Sequence, residues 1–267
     1  MIRRTFIRHT TQAMIALGLR TTSKLGPIGI QAYTVRSLMQ RDVAGTLAAL
    51  ASIGYHEVEL AGLYDKTAAD MRRLLDDAGL KAPSGHVAVL TSDWSKIISD
   101  AQTLGQRFIV CPFTDQRDRT VDGYKRNAEK YNQFGELTRK AGIQFAYHNH
   151  DFEFDTIDGV VPYDLLLKEC DPKLVQMECD IFWMVKGGRD PVKYFAANPG
   201  RYPMVHAKDM TKAGDMVDVG RGAIDFAAIF RHSDQAGLKH IFVEHDEPTA
   251  PLDDARVSYT YLRQLTY

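Results

Sequence analysis

From about Pro27 onward the chain alternates two kinds of stretch. In one kind, apolar residues recur at helical spacing, as Val43, Leu47, Leu50 and Ile53 do. In the other, short runs rich in β-branched and aromatic residues follow at once, as in Phe-Ile-Val after Arg107 or Ile-Phe-Val after His240. Glycine often marks the junction, at Gly54, Gly79, Gly142 and Gly237, with Gly105 a looser case. A glycine just past a helix accepts the left-handed C′ position without a steric penalty, and a strand starting beside it makes an αβ loop of minimal length.

This rhythm predicts eight strands, beginning near Ile28, Tyr55, Leu80, Arg107, Ile143, Leu174, Tyr202 and Lys239. Helices are predicted between them, for example over residues 42–52, 67–78, 121–140 and 253–265. The strand starts are spaced 25 to 37 residues apart, one strand–helix unit each. Eight such units leave two architectures, a closed (β/α)₈ barrel and a doubly wound sheet, and the count favours the barrel. No GxGxxG follows the first strand and no P-loop occurs, which removes the sequence signal of a nucleotide-binding sheet. The expectation is α/β, a single TIM barrel over residues 27–267.

Composition agrees with one globular domain of that size: 267 residues, 45% hydrophobic and 25% charged. The charges nearly cancel, 33 Lys+Arg against 34 Asp+Glu, so nothing collects a phosphate backbone and nucleic acid is not an expected partner. No apolar run approaches the roughly 20 residues of a membrane span, so no membrane partner is expected. Three cysteines without a CxxC provide neither a disulfide framework nor a zinc knuckle. The first 26 residues stand apart. Arg3-Arg4-Thr5-Phe6-Ile7-Arg8 followed by a mildly apolar stretch from Ala13 to Leu19 resembles a twin-arginine export signal. It predicts export to the periplasm, the alternative being a frayed terminus on a cytoplasmic protein.

In such a barrel the chemistry sits at the C-terminal ends of the strands. Those ends read Glu57-Val-Glu59, Ser84-Gly-His86, His148-Asn-His150, Glu178-Cys-Asp180, His206-Ala-Lys208 and Glu244-His-Asp246. Side chains alternate along a strand, so the first and third residue of each triplet can share the inner face. Polar groups there are costly unless they bind something. Four consecutive strands deliver His148, Asp180, His206 and Glu244, separated by 32, 26 and 38 residues. Two imidazoles and two carboxylates suit one divalent ion such as Mn²⁺, Zn²⁺ or Co²⁺ better than Ca²⁺. Asn149, Lys208 and Asp209 are candidates to orient these ligands or contact substrate. Glu59 and His86 on the second and third strands, with Glu153 and Trp183, are candidate substrate contacts.

Several stretches resemble the xylose isomerase-like barrel family of sugar phosphate isomerases and epimerases. They include Ile28-Gly-Ile-Gln31-Ala-Tyr33, Val58-Glu59-Leu-Ala-Gly62, Tyr147-His-Asn-His-Asp-Phe-Glu-Phe154, Glu178-Cys-Asp-Ile-Phe-Trp183, Val205-His-Ala-Lys-Asp-Met210 and Phe242-Val-Glu244-His-Asp-Glu-Pro248. The ketose epimerases of that family hold one metal with Glu, Asp, His and Glu on strands 5 to 8. Asp180, His206 and Glu244 match the last three positions, whereas His148 stands in place of the first Glu. Trp183 stands where those enzymes have a His three residues after the strand 6 Asp. Relatives carrying the Tyr-His-Asn-His-Asp-Phe-Glu-Phe signature look like a separate branch, some of which eliminate the aglycone of 3-keto-glycosides across C1–C2.

The resemblance implies a metal-dependent sugar isomerase or epimerase that removes a proton next to the carbonyl of a non-phosphorylated keto sugar. The alternatives are a 3-keto-glycoside lyase on the same site, or a sugar-binding barrel without catalysis. Candidate bases are Glu244, Glu178 and His150, and Lys208 is the candidate to hold a substrate oxygen. The expected partner is a small sugar, and a homodimer is the assembly to test.

Overall fold

The computed structural model describes residues 23–89 and 93–267. The N-terminal export motif lies outside these residues. Within them Ser23 and Lys24 are part of the fold: Lys24 pairs antiparallel with Thr266, and the Ser23 N–H donates to the Tyr267 carbonyl at 2.9 Å. No helix among the described residues is long and apolar enough to cross a membrane.

Eight parallel strands form the barrel. They are β1 (Ile28–Gln31), β2 (Glu57–Glu59), β3 (Ser84–His86), β4 (Phe108–Cys111), β5 (Gln144–His148), β6 (Val175–Asp180), β7 (Met204–Ala207) and β8 (His240–Val243). They are hydrogen-bonded in sequence, and β8 pairs with β1 through Ile28↔Ile241. The ring is nearly closed between β2 and β3, where the Glu57↔Lys81 and Leu60↔Gly85 bridges join them. The strands begin up to four residues later than the apolar pattern suggests, most clearly at β3, where Leu80 and Ala82 pack as buried lead-in residues.

The helices between strands follow the pattern closely. Thr67 caps Ala68–Asp77 by accepting from the Asp70 N–H, and Thr120 caps Val121–Lys140 by accepting from the Gly123 N–H. Gly105 and Gly237 close their helices in the left-handed conformation, with φ of 76° and 77°. One addition is a short antiparallel hairpin, Asp209–Met210 with Met216–Val217. The buried carboxylate of Asp209 accepts the N–H groups of Met210, Gly220, Gly222 and Ile224 at 2.8 to 3.2 Å. It therefore folds the segment after the hairpin rather than reaching the barrel axis.

The barrel interior changes character from bottom to top. Phe108, Val110, Ala146, Met204 and Phe242 form a separate buried apolar cluster. Gly29 on β1 makes room for the Phe242 ring, since a Cβ there would lie 2.5 Å from it. Two residues further along the same strands stand Gln31, His148, His206 and Glu244. An apolar plug thus supports a polar layer at the C-terminal ends.

Helix Val121–Lys140 is pressed against the start of β6 at Gly135, where an added Cβ would meet the Leu174 carbonyl oxygen at 2.5 Å. Alanine normally improves a helix interior over glycine by about 1 kcal/mol. Here Gly135→Ala is expected to cost about 1–3 kcal/mol in denaturant unfolding, because backbone must move to admit the methyl group. Unchanged or increased stability would show that the helix is not held this close.

Candidate metal centre and cavity

Each donor of the site is placed by local structure. His148 is the last residue of β5 and His206 lies within β7, both nearly fully buried. Asp180 ends β6 and also caps the helix Ile181–Lys186. Its Oδ1 accepts the Trp183 N–H at 2.9 Å. Asn149 clamps the Asp180 main chain, accepting its N–H at 3.1 Å and donating to its carbonyl at 3.2 Å. Capping and clamping engage Oδ1 and the main chain, and leave Asp180 Oδ2 buried with Lys208 Nζ as its charged neighbour. That oxygen lies 3.8 Å from His148 Nε2, 3.9 Å from His206 Nδ1 and 3.0 Å from Lys208 Nζ.

Donor atoms of His148, Asp180, His206 and Glu244 all lie within 4.8 Å of one another. Atoms bonded at about 2.0–2.2 Å to a shared ion lie at most about 4.4 Å apart, so a small inward shift of these side chains would complete a ligand shell. Two imidazoles and two buried carboxylates, with Lys208 Nζ beside both carboxylates, are a donor set that fits a divalent cation. Burial, reinforced by His206, holds His148 well below the usual histidine range, so it is the neutral imidazole a metal requires. Burial also raises Asp180, to about 6.

Beneath this quartet lies a second polar group. Glu178 Oε2 is 2.8 Å from His86 Nε2, 3.2 Å from His148 Nδ1 and 3.2 Å from His206 Nε2. Glu59 Oε2 accepts from Gln31 Nε2 at 2.8 Å and lies 2.6 Å from His206 Nε2, while Ser84 donates to its other oxygen. Burial and the charge of Glu178 raise Glu59. Burial opposes charge on His206 too, but Glu178 and Glu244 outweigh it and pull that imidazole well up. His86, His148, Glu178 and His206 form a second set of donors in mutual reach. Both sets use His148 and His206, through opposite ring nitrogens.

The site opens into a cavity of about 470 Å³, whose lining includes His86, His148, His150, Lys208, Glu244 and Asp246. Lys208 Nζ lies 3.0 Å from Asp180, 2.8 Å from Glu244 and 2.9 Å from Asp246. Burial works against its charge, but the three carboxylates raise it well above the ordinary lysine value, so it stays an ammonium. His150 follows β5, with its ring stacked on Phe152. Burial and Lys208 lower it to about 3, so it stays neutral.

Other candidates are placed elsewhere. Glu59 and Glu178 are fully buried and absent from the cavity lining, and Oε2 of each faces imidazoles. Glu153 is also enclosed. It accepts from the Tyr147 hydroxyl at 2.6 Å and the His150 N–H at 2.8 Å, so it sets the loop that carries His150. Trp183 does not line the cavity; its ring stands 5.6 Å from Lys208 Nζ and 5.6 Å from the His150 ring. Asp246, which alternation places on the inner face without assigning it a role, also lines the cavity, as do Tyr33 and Phe113. The signal for Asp246 is its spacing of two from Glu244. Tyr33 and Phe113 sit in loops, where no periodicity points a side chain.

Burial raises Glu153 to about 7 from an ordinary 4.5. The folded protein therefore binds a proton that the unfolded chain releases between those values, and the associated stability is lost as pH rises from about 4.5 to about 7. In Glu153→Gln this part of the pH dependence disappears. The difference in unfolding free energy between pH 5 and pH 8 is expected to shrink by about 2 kcal/mol relative to wild type. An unchanged difference would mean that Glu153 is ionised in the fold.

Relatives carry the same architecture. A model of the xylose isomerase-like TIM barrel family matches residues 47–265. An inosose dehydratase from Geobacillus kaustophilus is 24% identical over 275 residues, covering 83% of this chain and 86% of the relative. The crystal structure of a sugar phosphate isomerase/epimerase from Parabacteroides distasonis superimposes with a TM-score of 0.80. It is 27% identical and covers 95% of this chain and 98% of that one. At 14% identity, the structure of the IOLI protein with a bound zinc atom shares the fold, with a TM-score of 0.70 over 88% of this chain and 96% of that one. The chain belongs to the xylose isomerase-like TIM barrel family.

Proposed function

We propose that the protein is a divalent-metal-dependent enzyme that acts on a keto sugar by removing the proton next to its carbonyl, with elimination as the outcome its residues favour. The observation that carries this reading is the convergence of His148, Asp180, His206 and Glu244 beside a cavity that also presents His150 and Lys208. A bound Mn²⁺, Zn²⁺ or Co²⁺ would supply Lewis acidity to a carbonyl and a neighbouring hydroxyl.

The protein's own groups divide the remaining work. His150 lines the cavity beside the metal donors, which makes it the candidate to take a proton from carbon. Glu244 is occupied by His206 at 2.6 Å and by Lys208 at 2.8 Å. Lys208 keeps a permanent positive charge at the cavity wall, suited to a substrate oxygen that gains charge. In a 3-keto-glycoside, His150 takes the C2 proton, the C–H electrons form the enolate with C3, and the C1–O bond then breaks to leave a C1=C2 double bond. The departing oxygen keeps the bonding pair and takes up a proton. This needs one base. Isomerisation or epimerisation must return a proton to carbon, and His148 at the β5 position removes one carboxylate suited to that task. The inosose dehydratase similarity supports an elimination outcome within the same chemistry.

The test is incubation of metal-loaded enzyme in D₂O with a 3-keto-glucoside, an inosose and a free ketohexose, followed by NMR. Expected is deuterium at the carbon next to the carbonyl, or aglycone or water release, with at least one of the three. His150→Ala should lower kcat about 100-fold or more while KM changes little. No exchange and no product with any of the three would overturn the proposal. Full activity in His150→Ala would remove His150 as the base.

A further inference from the structure

The cavity has two unlike walls. The loops after β5, β7 and β8 supply His148, His150, Lys208, Glu244 and Asp246, all ionisable. The loops after β1 to β4 supply Tyr33, Ala61, Val87, Pro112 and Phe113. His86 also stands on that second wall, and its Nε2 is turned to Glu178 at 2.8 Å.

The apolar wall is also exposed. Among the described residues the exposed large hydrophobic side chains are Tyr33, Phe113 and Leu137, and the first two stand at 43% and 52% exposure in this one cavity. Tyr33 is held in place. Its N–H donates to Gln31 Oε1 at 3.1 Å, and the Arg36 guanidinium lies 4.0 Å over its ring while donating to its carbonyl at 2.9 Å. Two exposed aromatics lining one cavity beside a polar site offer a surface on which part of a ligand is expected to sit. A keto sugar offers hydroxyls and a carbonyl to the ionic wall but little to satisfy the opposite one. A cavity of about 470 Å³ has room for a second group.

We propose that the Tyr33–Phe113 wall is an aglycone subsite, and that the substrate is a keto-glycoside whose leaving group is apolar and preferably aromatic. This rests on the reading of the ionic wall as a keto-sugar site. Sugar and aglycone would lie across the cavity, with the glycosidic oxygen between the two walls. An aromatic ring gains both buried area and ring–ring contact there, whereas a methyl group reaches neither side chain.

The test is calorimetric titration of zinc-loaded His150→Ala protein with methyl and phenyl 3-keto-glucosides, alone and combined with Tyr33→Ala or Phe113→Ala. The phenyl glycoside is expected to bind about tenfold more tightly than the methyl glycoside. Each aromatic substitution should remove a large part of that preference and leave methyl glycoside affinity unchanged. On wild-type enzyme, kcat/KM should show the same preference. Equal affinity for the two glycosides, or an equal loss for both in the aromatic variants, would overturn the subsite while the keto-sugar reading stands. No binding of either glycoside would overturn both.

Discussion

His206 is one imidazole held between two pairs of carboxylates. Its Nε2 lies 2.6 Å from Glu59 and 3.2 Å from Glu178; its Nδ1 lies 2.6 Å from Glu244 and 3.9 Å from Asp180. All five residues are buried. Unpaired carboxylates in such a place are costly, so positive charge must be supplied within a few ångströms. Lys208 supplies one charge, on the Asp180–Glu244 side only. His148 is held neutral and supplies none. Glu178 and Glu244 pull His206 itself toward its charged form, so Lys208 and His206 together answer the carboxylates where the four donor atoms converge. A divalent cation taking the place of the His206 proton would meet the donor atoms of His148, Asp180, His206 and Glu244 together.

The rest of the barrel serves that constraint. The plug of Phe108, Val110, Ala146, Met204 and Phe242 fills the interior below, and the polar layer above it opens toward the cavity. Asn149 and the helix cap fix Asp180 through its main chain and Oδ1, which leaves Oδ2 turned to Lys208 and the imidazoles. Glu153 fixes the loop of His150 in the same indirect way. Residues that do not touch the cavity thus decide where those that do will stand.

Much of this was legible in the chain. The eight strand–helix units follow from periodicity and helix-ending glycines, and β1 begins at Ile28 as predicted. The quartet His148, Asp180, His206 and Glu244 follows from alternation on consecutive strands, a rule that holds wherever β-geometry holds. Glu59 and Glu178 show where that rule stops. Alternation places both on the inner face, but depth along the barrel decides whether an inward carboxylate meets substrate or a buried imidazole. Depth depends on strand register and stagger, which β2 and β6 acquire only on pairing with their neighbours. The wall of Tyr33 and Phe113 and the hairpin after β7 were illegible for a related reason. They are loop structures, fixed by contacts such as Arg36 on Tyr33 and Asp209 on its four amides.

The central claim is a single-cation centre made by the ends of β5 to β8, and metal content tests it most directly. Elemental analysis of gently purified protein, before and after addition of Mn²⁺, Co²⁺ or Zn²⁺, should find about one divalent ion per chain in the wild type. His148→Ala and Asp180→Asn should each lose most of it while the fold, followed by circular dichroism, persists. Wild-type protein that takes up none of the three metals, or variants that keep a full equivalent, would contradict the account.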